Sequence, residues 1–380
     1  MTRSNDRIRV AIDAHVVGRR QTGNETYIVE LAHALSRRDE VMTTVYVDRG
    51  AVWPNDPTPN LRSLTFRSRY VRLAVELPVR VRRDRAQLLH VQYVAPPISP
   101  VPIVAAVHDV SFLDVPGLFP RAAAVRLRAT IRSTVRRAAC VLALSNFTRD
   151  RIMEHYGLEP DRVVLAPGGV SPSWRRLSRP EMEASLSAAT EAGQLPAHLP
   201  ERFVLTIGNL QPRKNVLRLV RAVAAARASG AGDLALVLAG QRHWRSAELD
   251  EQVRHVQGDS WVHRVGYLPQ DTLVALANQA TLIAHPSLYE GFGLPVLEGM
   301  AAGAVVVASD ATSIPEVVGD AALLVDPSSE EAMADGLVRA STDEELRRRL
   351  RQAGPLRAAE FTWDRCADGT ILAYRRAMGR

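Results

Sequence analysis

Two carboxylates and two cations stand out, on two stretches that read as strand-to-helix junctions. In HPSLYEGFGLPVLEGMAAG (285–303), Glu290 and Glu298 lie eight positions apart around a glycine pair and an apolar helix start. In GNLQPRKN (208–215), Arg213 and Lys214 follow a strand and open a helix. A helix N-terminus presents free N–H groups and the positive end of the helix dipole, so two added cations point to an anion, with a diphosphate as the natural ligand. Gly291 and Gly293 let backbone N–H groups come close to a ligand, and Pro295 suits a first helical turn. A carboxylate such as Glu298 can accept from the two neighbouring hydroxyls of a ribose. Glu290, nearer the sheet end, suits a sugar hydroxyl or a developing positive charge. Taken singly, a solvated loop charge accounts equally well for Glu290, and a backbone-capping group for Glu298.

Lys214 draws notice for another reason. Of the 48 basic side chains, 47 are arginine and this one is lysine. A compact, mobile ammonium does what a rigid planar guanidinium does not.

These residues need a frame, and the chain supplies one. From residue 7 strand-like runs (RIRVAIDAHVV, TTVYVD, LLHVQYV, PIVAAVHDV, CVLALS, RVVLAPGGV) alternate with helical patterns. The rhythm fails over 171–200, where Pro172, Pro180, Pro196 and Pro200 fall, and resumes at FVLTIGNL. This predicts an α/β protein of two Rossmann-like, doubly wound parallel-sheet domains. The expected boundaries are 1–170, a connector over 171–200, a second domain over 201–360, and a C-terminal helix over 361–380 packing back toward the first domain. Ligands in such sheets bind beyond the carboxyl ends of the strands, where the loops above stand.

Bulk composition narrows the function. At 380 residues with 46% hydrophobic and 23% charged residues, this is a globular chain without a run long enough to span a membrane. The polar start MTRSNDR leads directly into a strand, which predicts a cytoplasmic protein without a signal peptide. Cys140 and Cys366 are too few for a disulfide framework or a zinc site. The formal charge of +7 gathers in the first half. Arg62, Arg67, Arg69, Arg72, Arg80, Arg82, Arg83 and Arg85 form one block, and residues 121–151 carry eight more arginines. Such blocks suit an anionic acceptor, an anionic membrane surface or plain solvation. A nucleic-acid-binding protein is disfavoured, because the blocks lack interleaved aromatics and any nucleic-acid motif. In VRLAVELPVRVRRDR (71–85), Pro78 is expected to interrupt any single helix. Val296 replaces the third glycine of a dinucleotide fingerprint, and neither a Walker A loop nor an Asp-x-Asp metal motif occurs.

The pattern E-G-F-G-L-P-x-L-E after H-P-S resembles the retaining glycosyltransferases of family four. QTGNETYIVEL (21–31), VHDVSFLDVPGLF (107–119), LSNFTRDRI (144–152), VGYLP (265–269) and SIPEVVGDAALLVDP (313–327) agree. The resemblance covers nearly the whole chain. It implies the GT-B fold, two Rossmann-like domains facing across a cleft, and transfer of a hexose from a nucleotide diphosphate sugar to a glycan or lipid-linked acceptor. Mannose from GDP-mannose is the first donor implied, since HDVSFL and TGNETY are most similar to mannosyltransferases; a UDP-sugar is the runner-up. By this likeness Arg213 and Lys214 grip the diphosphate, Glu290 contacts the sugar, Glu298 holds the ribose and His108 faces the transferred sugar. Gly23, Gly208, Gly291, Phe292, Gly293 and Leu294 complete the donor site. Glu25 stands where many relatives have a second glycine, which puts close backbone approach to the donor at that loop in doubt. No cofactor and no metal are expected. A nucleotide-sugar epimerase of the same fold is the other enzyme class.

Overall fold

The computed structural model describes residues 7–19, 22–54, 59–66, 68–242 and 246–379. Arg67 of the first arginine block therefore lies outside the described residues. The chain divides into two compact units, one running to Gly169 and resuming at Thr362, the other Val170–Phe361.

The first unit is built on a seven-stranded parallel sheet. Its strands are β1 (Ile8–Asp13), β2 (Val41–Asp48), β3 (Leu61–Leu64), β4 (Leu88–Gln92), β5 (Ile103–Ala106), β6 (Cys140–Ala143) and β7 (Val163–Leu165), in the order β3-β2-β1-β4-β5-β6-β7. β4, β5 and β6 are buried along their whole length, as strands covered by helices on both faces must be. Edge strand β3 was not among the expected strands, because Leu61-Arg62-Ser63-Leu64 carries no apolar run. It pairs with β2 in register from Leu61 against Val45. The final helix, Trp363–Ala377, belongs to this unit: the hydroxyl of its Tyr374 lies 2.8 Å from His90 Nδ1 on β4.

Pro78 does not interrupt the helix over 71–85. Helical segments Arg69–Val71, Arg72–Glu76 and Leu77–Arg83 follow one another with αR backbone at each junction. The middle segment is a π-helix, in which Leu77 N–H reaches back five residues to the Arg72 carbonyl. Proline lacks the N–H and its ring collides with the carbonyl four residues back in a regular helix; the wider turn just before Pro78 accommodates it.

The second unit repeats the plan with six parallel strands: β8 (Phe203–Ile207), β9 (Ala235–Ala239), β10 (Val262–Gly266), β11 (Leu282–His285), β12 (Val306–Ser309) and β13 (Leu323–Val325). Their order is β10-β9-β8-β11-β12-β13. The helix Arg179–Glu191 precedes them, opened by a capping box between Ser178 and Glu181. The chain winds outward from β8 through β9 to β10, then returns to β11 and winds the other way. The switch point is thus between β8 and β11, and the crevice at their carboxyl ends is where such sheets take a ligand.

Candidate functional site

The loops after β8 and β11 are those carrying Arg213, Lys214 and Glu290. After β8 the chain turns at Gly208 (φ 127°), which lies under Gly240. A Cβ on Gly240 would stand 2.0 Å from the Gly208 carbonyl oxygen, so only glycine fits there. Arg213 and Lys214 occupy a 3-10 turn, Pro212–Lys214, immediately before the helix Val216–Ala228. Asn215 joins the two in left-handed backbone (φ 62°), a conformation asparagine tolerates. Its amide nitrogen donates to the carbonyls of Pro286 (3.0 Å) and Pro327 (2.7 Å), tying this loop to the one after β11.

Glu290 is the hub. Lys214 Nζ donates to its Oε1 at 2.6 Å and Arg213 Nη1 to its Oε2 at 3.0 Å. His285 Nε2 lies 3.0 Å from Oε1. Arg213 also donates to the Tyr289 carbonyl at 3.1 Å. The backbone of Glu290 is pinned from the loop after β12: its N–H donates to Thr312 Oγ1, and its carbonyl accepts from Ser313 Oγ. Glu290 is 6% exposed, which excludes a solvated loop charge. Burial alone would push its carboxyl up, but the charges of Lys214 and Arg213 and the bond to His285 hold it well below the usual carboxylate range. Burial, with the nearby Lys214 charge, pushes the His285 imidazole below its ordinary value, so the ring is neutral. Two cations, one anion and a neutral imidazole leave the cluster with a net charge of about +1. Glu290 thus holds both cations in place within the loop structure.

The other residues of the glycine loop take distinct positions. Gly293 starts the helix Leu294–Ala301 at φ 102°, and a Cβ there would meet Ile314 Cδ1 at 2.5 Å. Gly291, Phe292 and Leu294 are buried, with Phe292 edge-on to Phe361 at 5.7 Å. Glu298 is half-buried on the fifth position of that helix. Lys214 passes over Gly208, its Cε 3.6 Å from where a Cβ would stand, so a side chain there would crowd the lysine.

In the first unit, His108 follows β5 and is 8% exposed. Its ring packs edge-on to Tyr27 (4.4 Å) and against Tyr93 (5.3 Å). Its Nε2 is buried without a hydrogen-bond partner among the described residues. Burial depresses it to about 4, offset only in part by Asp109, so this ring too is neutral. Gly23 lies in the first turn of the helix Thr22–Ser36 rather than in the loop before it. Glu25 Oε1 accepts from the Gly18 N–H at 2.7 Å, so this glutamate occupies a backbone donor of the loop after β1. The expected diphosphate approach at this loop thus has one donor fewer to offer.

His285, Asn215, Thr312, Ser313 and Gly240 were not singled out from the sequence. His285, Asn215 and Ser313 lie within quoted motifs; Asn215 and Ser313 bond backbone carbonyls of other loops, whereas His285 meets Glu290 five positions on in its own loop.

Comparison with known proteins places these features in a family. Residues 22–174 match the model for Glycosyltransferase Family 4, and residues 189–357 match that for Glycosyl transferases group 1. The chain is 31% identical over 272 residues to the O-antigen chain mannosyltransferase B of Escherichia coli, covering 72% of this chain and 70% of that protein. It is 29% identical over 247 residues to the serotype-specific mannosyltransferase WbdA of Escherichia coli, where the match spans only 29% of the longer protein. Among solved structures, sucrose-phosphate synthase from Thermosynechococcus elongatus superposes with a TM-score of 0.74 at 20% identity, over 98% of this chain and 100% of that one.

Proposed function

Because the chain belongs to glycosyltransferase family 4, we propose that it moves a hexose from a nucleotide diphosphate sugar to a glycan or lipid-linked acceptor, with retention and without a metal. Mannose from GDP-mannose is the first donor, a reading supported by the two mannosyltransferase relatives. The observation that carries the proposal is the buried Arg213–Glu290–Lys214 cluster at the carboxyl ends of β8 and β11.

The chemistry follows from charge. As the bond from C1 to the diphosphate oxygen breaks, negative charge gathers on the β-phosphate and positive charge on the sugar ring. Arg213 and Lys214 meet the first, preorganised by Glu290 so that little reorientation is needed during reaction. The acceptor oxygen bonds to C1, and its proton passes to the departing diphosphate. Glu290 is committed to the cations by geometry, so its effect on the sugar is that of a nearby fixed negative charge. Glu298 accepts from the ribose hydroxyls. His108, neutral and with Nε2 unpaired, donates to or accepts from a sugar hydroxyl.

A thermal-shift panel of GDP-mannose, UDP-glucose, UDP-GlcNAc and free nucleotides tests the donor, since a ligand of the folded state alone raises Tm. Stabilisation by GDP-mannose and mannose transfer dependent on an added acceptor are expected. Preference for a uridine nucleotide overturns the donor, and sugar release or isomerisation without acceptor overturns the transferase reading in favour of an epimerase.

A further inference from the structure

The first unit has a switch point of its own. Its chain winds outward from β1 through β2 to β3, then returns to β4 beside β1, so the carboxyl ends of β1 and β4 form its crevice. Asp13 closes β1 and is 1% exposed. Its Oδ1 accepts from the His15 N–H at 3.3 Å and from Arg72 Nη1 at 3.2 Å, and lies 3.1 Å from His15 Nδ1. Burial alone would raise this carboxyl, but His15 and Arg72 hold it down to about 2. A buried charge thus fixes a half-buried imidazole through one ring nitrogen. The other, Nε2, has no partner among the described residues.

Gln92 closes β4 and is 5% exposed, and neither its Oε1 nor its Nε2 has a partner among the described residues. A buried amide left unpaired lowers stability, so its presence calls for a ligand or a function. Tyr93 follows at φ 58°, a region that bulky side chains rarely adopt, with the Val94 N–H turned back to the Gln92 carbonyl at 2.6 Å. Backbone strain of this kind collects at ligand sites. The Tyr93 ring is half-buried and tilted against His108 at 5.3 Å. Ile12 pairs with His90, and Gln92 with Ala106, so Asp13, Gln92 and His108 stand at the ends of three adjacent strands spaced about 4.8 Å apart.

The charges here select the ligand. In the loop after β1 the N–H groups of His15, Val17, Gly18 and Arg19 are taken by Asp13, Ala14, Glu25 and Val16. Arg72 is matched by Asp13 and Arg19 by Asp48, while Asp109 Oδ2, 3.5 Å from the Tyr93 hydroxyl, adds negative charge. A phosphate finds nothing to hold it, unlike at the cluster around Glu290. What remains is an imidazole nitrogen, an amide that both donates and accepts, and an aromatic face, the complement of sugar hydroxyls and a sugar ring. We propose that the carboxyl ends of β1 and β4 form the subsite for the acceptor's terminal sugar, a neutral one, with His15 and Gln92 bonding its hydroxyls and Tyr93 against its ring. This rests on the transferase reading: the acceptor oxygen must bond to C1 of the sugar that His108 contacts, and Tyr93 is the neighbour of His108. A lipid-linked acceptor is then read by its sugar and not by its phosphate.

The test titrates the full chain, free and saturated with GDP or UDP, and follows binding by saturation-transfer NMR. The probes are methyl glycosides of mannose, glucose, galactose and N-acetylglucosamine, beside mannose 6-phosphate and glucose 6-phosphate. At least one neutral glycoside should bind, and more tightly than either sugar phosphate. His15→Ala and Gln92→Leu should each weaken that binding roughly tenfold, the worth of a hydrogen bond, with nucleotide affinity unchanged. Gln92→Leu should also keep or raise Tm, because it removes an unpaired buried amide. No glycoside bound by the wild type, tighter binding of a sugar phosphate, or wild-type glycoside affinity in either variant overturns the subsite. Nucleotide binding without glycoside binding overturns the subsite alone, whereas absence of nucleotide binding overturns the transferase reading.

Discussion

Removing the amine of Lys214 has two separable consequences. Lys214 is 2.6 Å from a carboxylate that is almost wholly buried. Lys214→Ala therefore strips Glu290 of its shortest ion pair while Arg213 and His285 remain. Losing one partner of a buried pair outright costs about 3–5 kcal/mol; with two donors left, a cost of about 1–3 kcal/mol is expected, the range for an underpaired buried polar group. Activity should fall further than stability explains. One preorganised donor to a developing charge is worth about 10²–10³ in kcat, or about 2.7–4 kcal/mol. Adding Glu290→Gln to Lys214→Ala separates the two: the neutral amide relieves the uncompensated charge and should restore part of the lost Tm, while kcat stays low. Thermal melts and initial rates with saturating donor on wild type, both single variants and the double variant complete the cycle. A folded Lys214→Ala enzyme with kcat near wild type would rule out this role for Lys214, as would a double variant that recovers turnover together with Tm.

Other consequences follow from the same geometry. Chelation by EDTA should leave transfer intact, because the cluster balances the diphosphate; complete loss reversed by magnesium or manganese would overturn that. Gly240→Ala should lower Tm by several degrees and weaken nucleotide binding, because the new Cβ would fall 2.0 Å from the Gly208 carbonyl and displace the loop that carries Lys214. Burial depresses His90 to about 3 and His108 to about 4, so between roughly pH 6.5 and these values the unfolded chain binds protons that the folded one does not. Stability should therefore fall as pH drops through this window, and His108→Gln should flatten the slope of Tm against pH.

The doubly wound fold was legible because β4, β5, β8 and β11 are short apolar runs closed by turn residues, as strands buried on both faces must be. β3 was not, because an edge strand can carry Arg62 and Ser63 and relies on its neighbour for pairing. Burial of Arg72 and Glu76 was equally hidden: charged residues read as surface until their partners, Asp13 and the Thr65–Phe66 backbone, are seen to face them. Pro78 misled because the rule against helical proline assumes α geometry, and a π-turn escapes it. In the candidate site, types and loops could be read, but pairing could not. Lys214 and Glu290 are 76 positions apart, and only the adjacency of β8 and β11 brings their loops together. His285 looked like the end of a strand, since nothing local marks a neutral imidazole placed to orient a carboxylate.

If Arg213 and Lys214 hold the diphosphate of the donor, each should contribute to binding through the second phosphate. Calorimetric titration with the pairs GDP and GMP, and UDP and UMP, measures what the second phosphate adds to binding. A clear gain is expected for the diphosphate of the preferred base in the wild type, largely lost in both Arg213→Ala and Lys214→Ala while the monophosphate binds as before. An undiminished gain in folded variants, or no gain in the wild type, would contradict it.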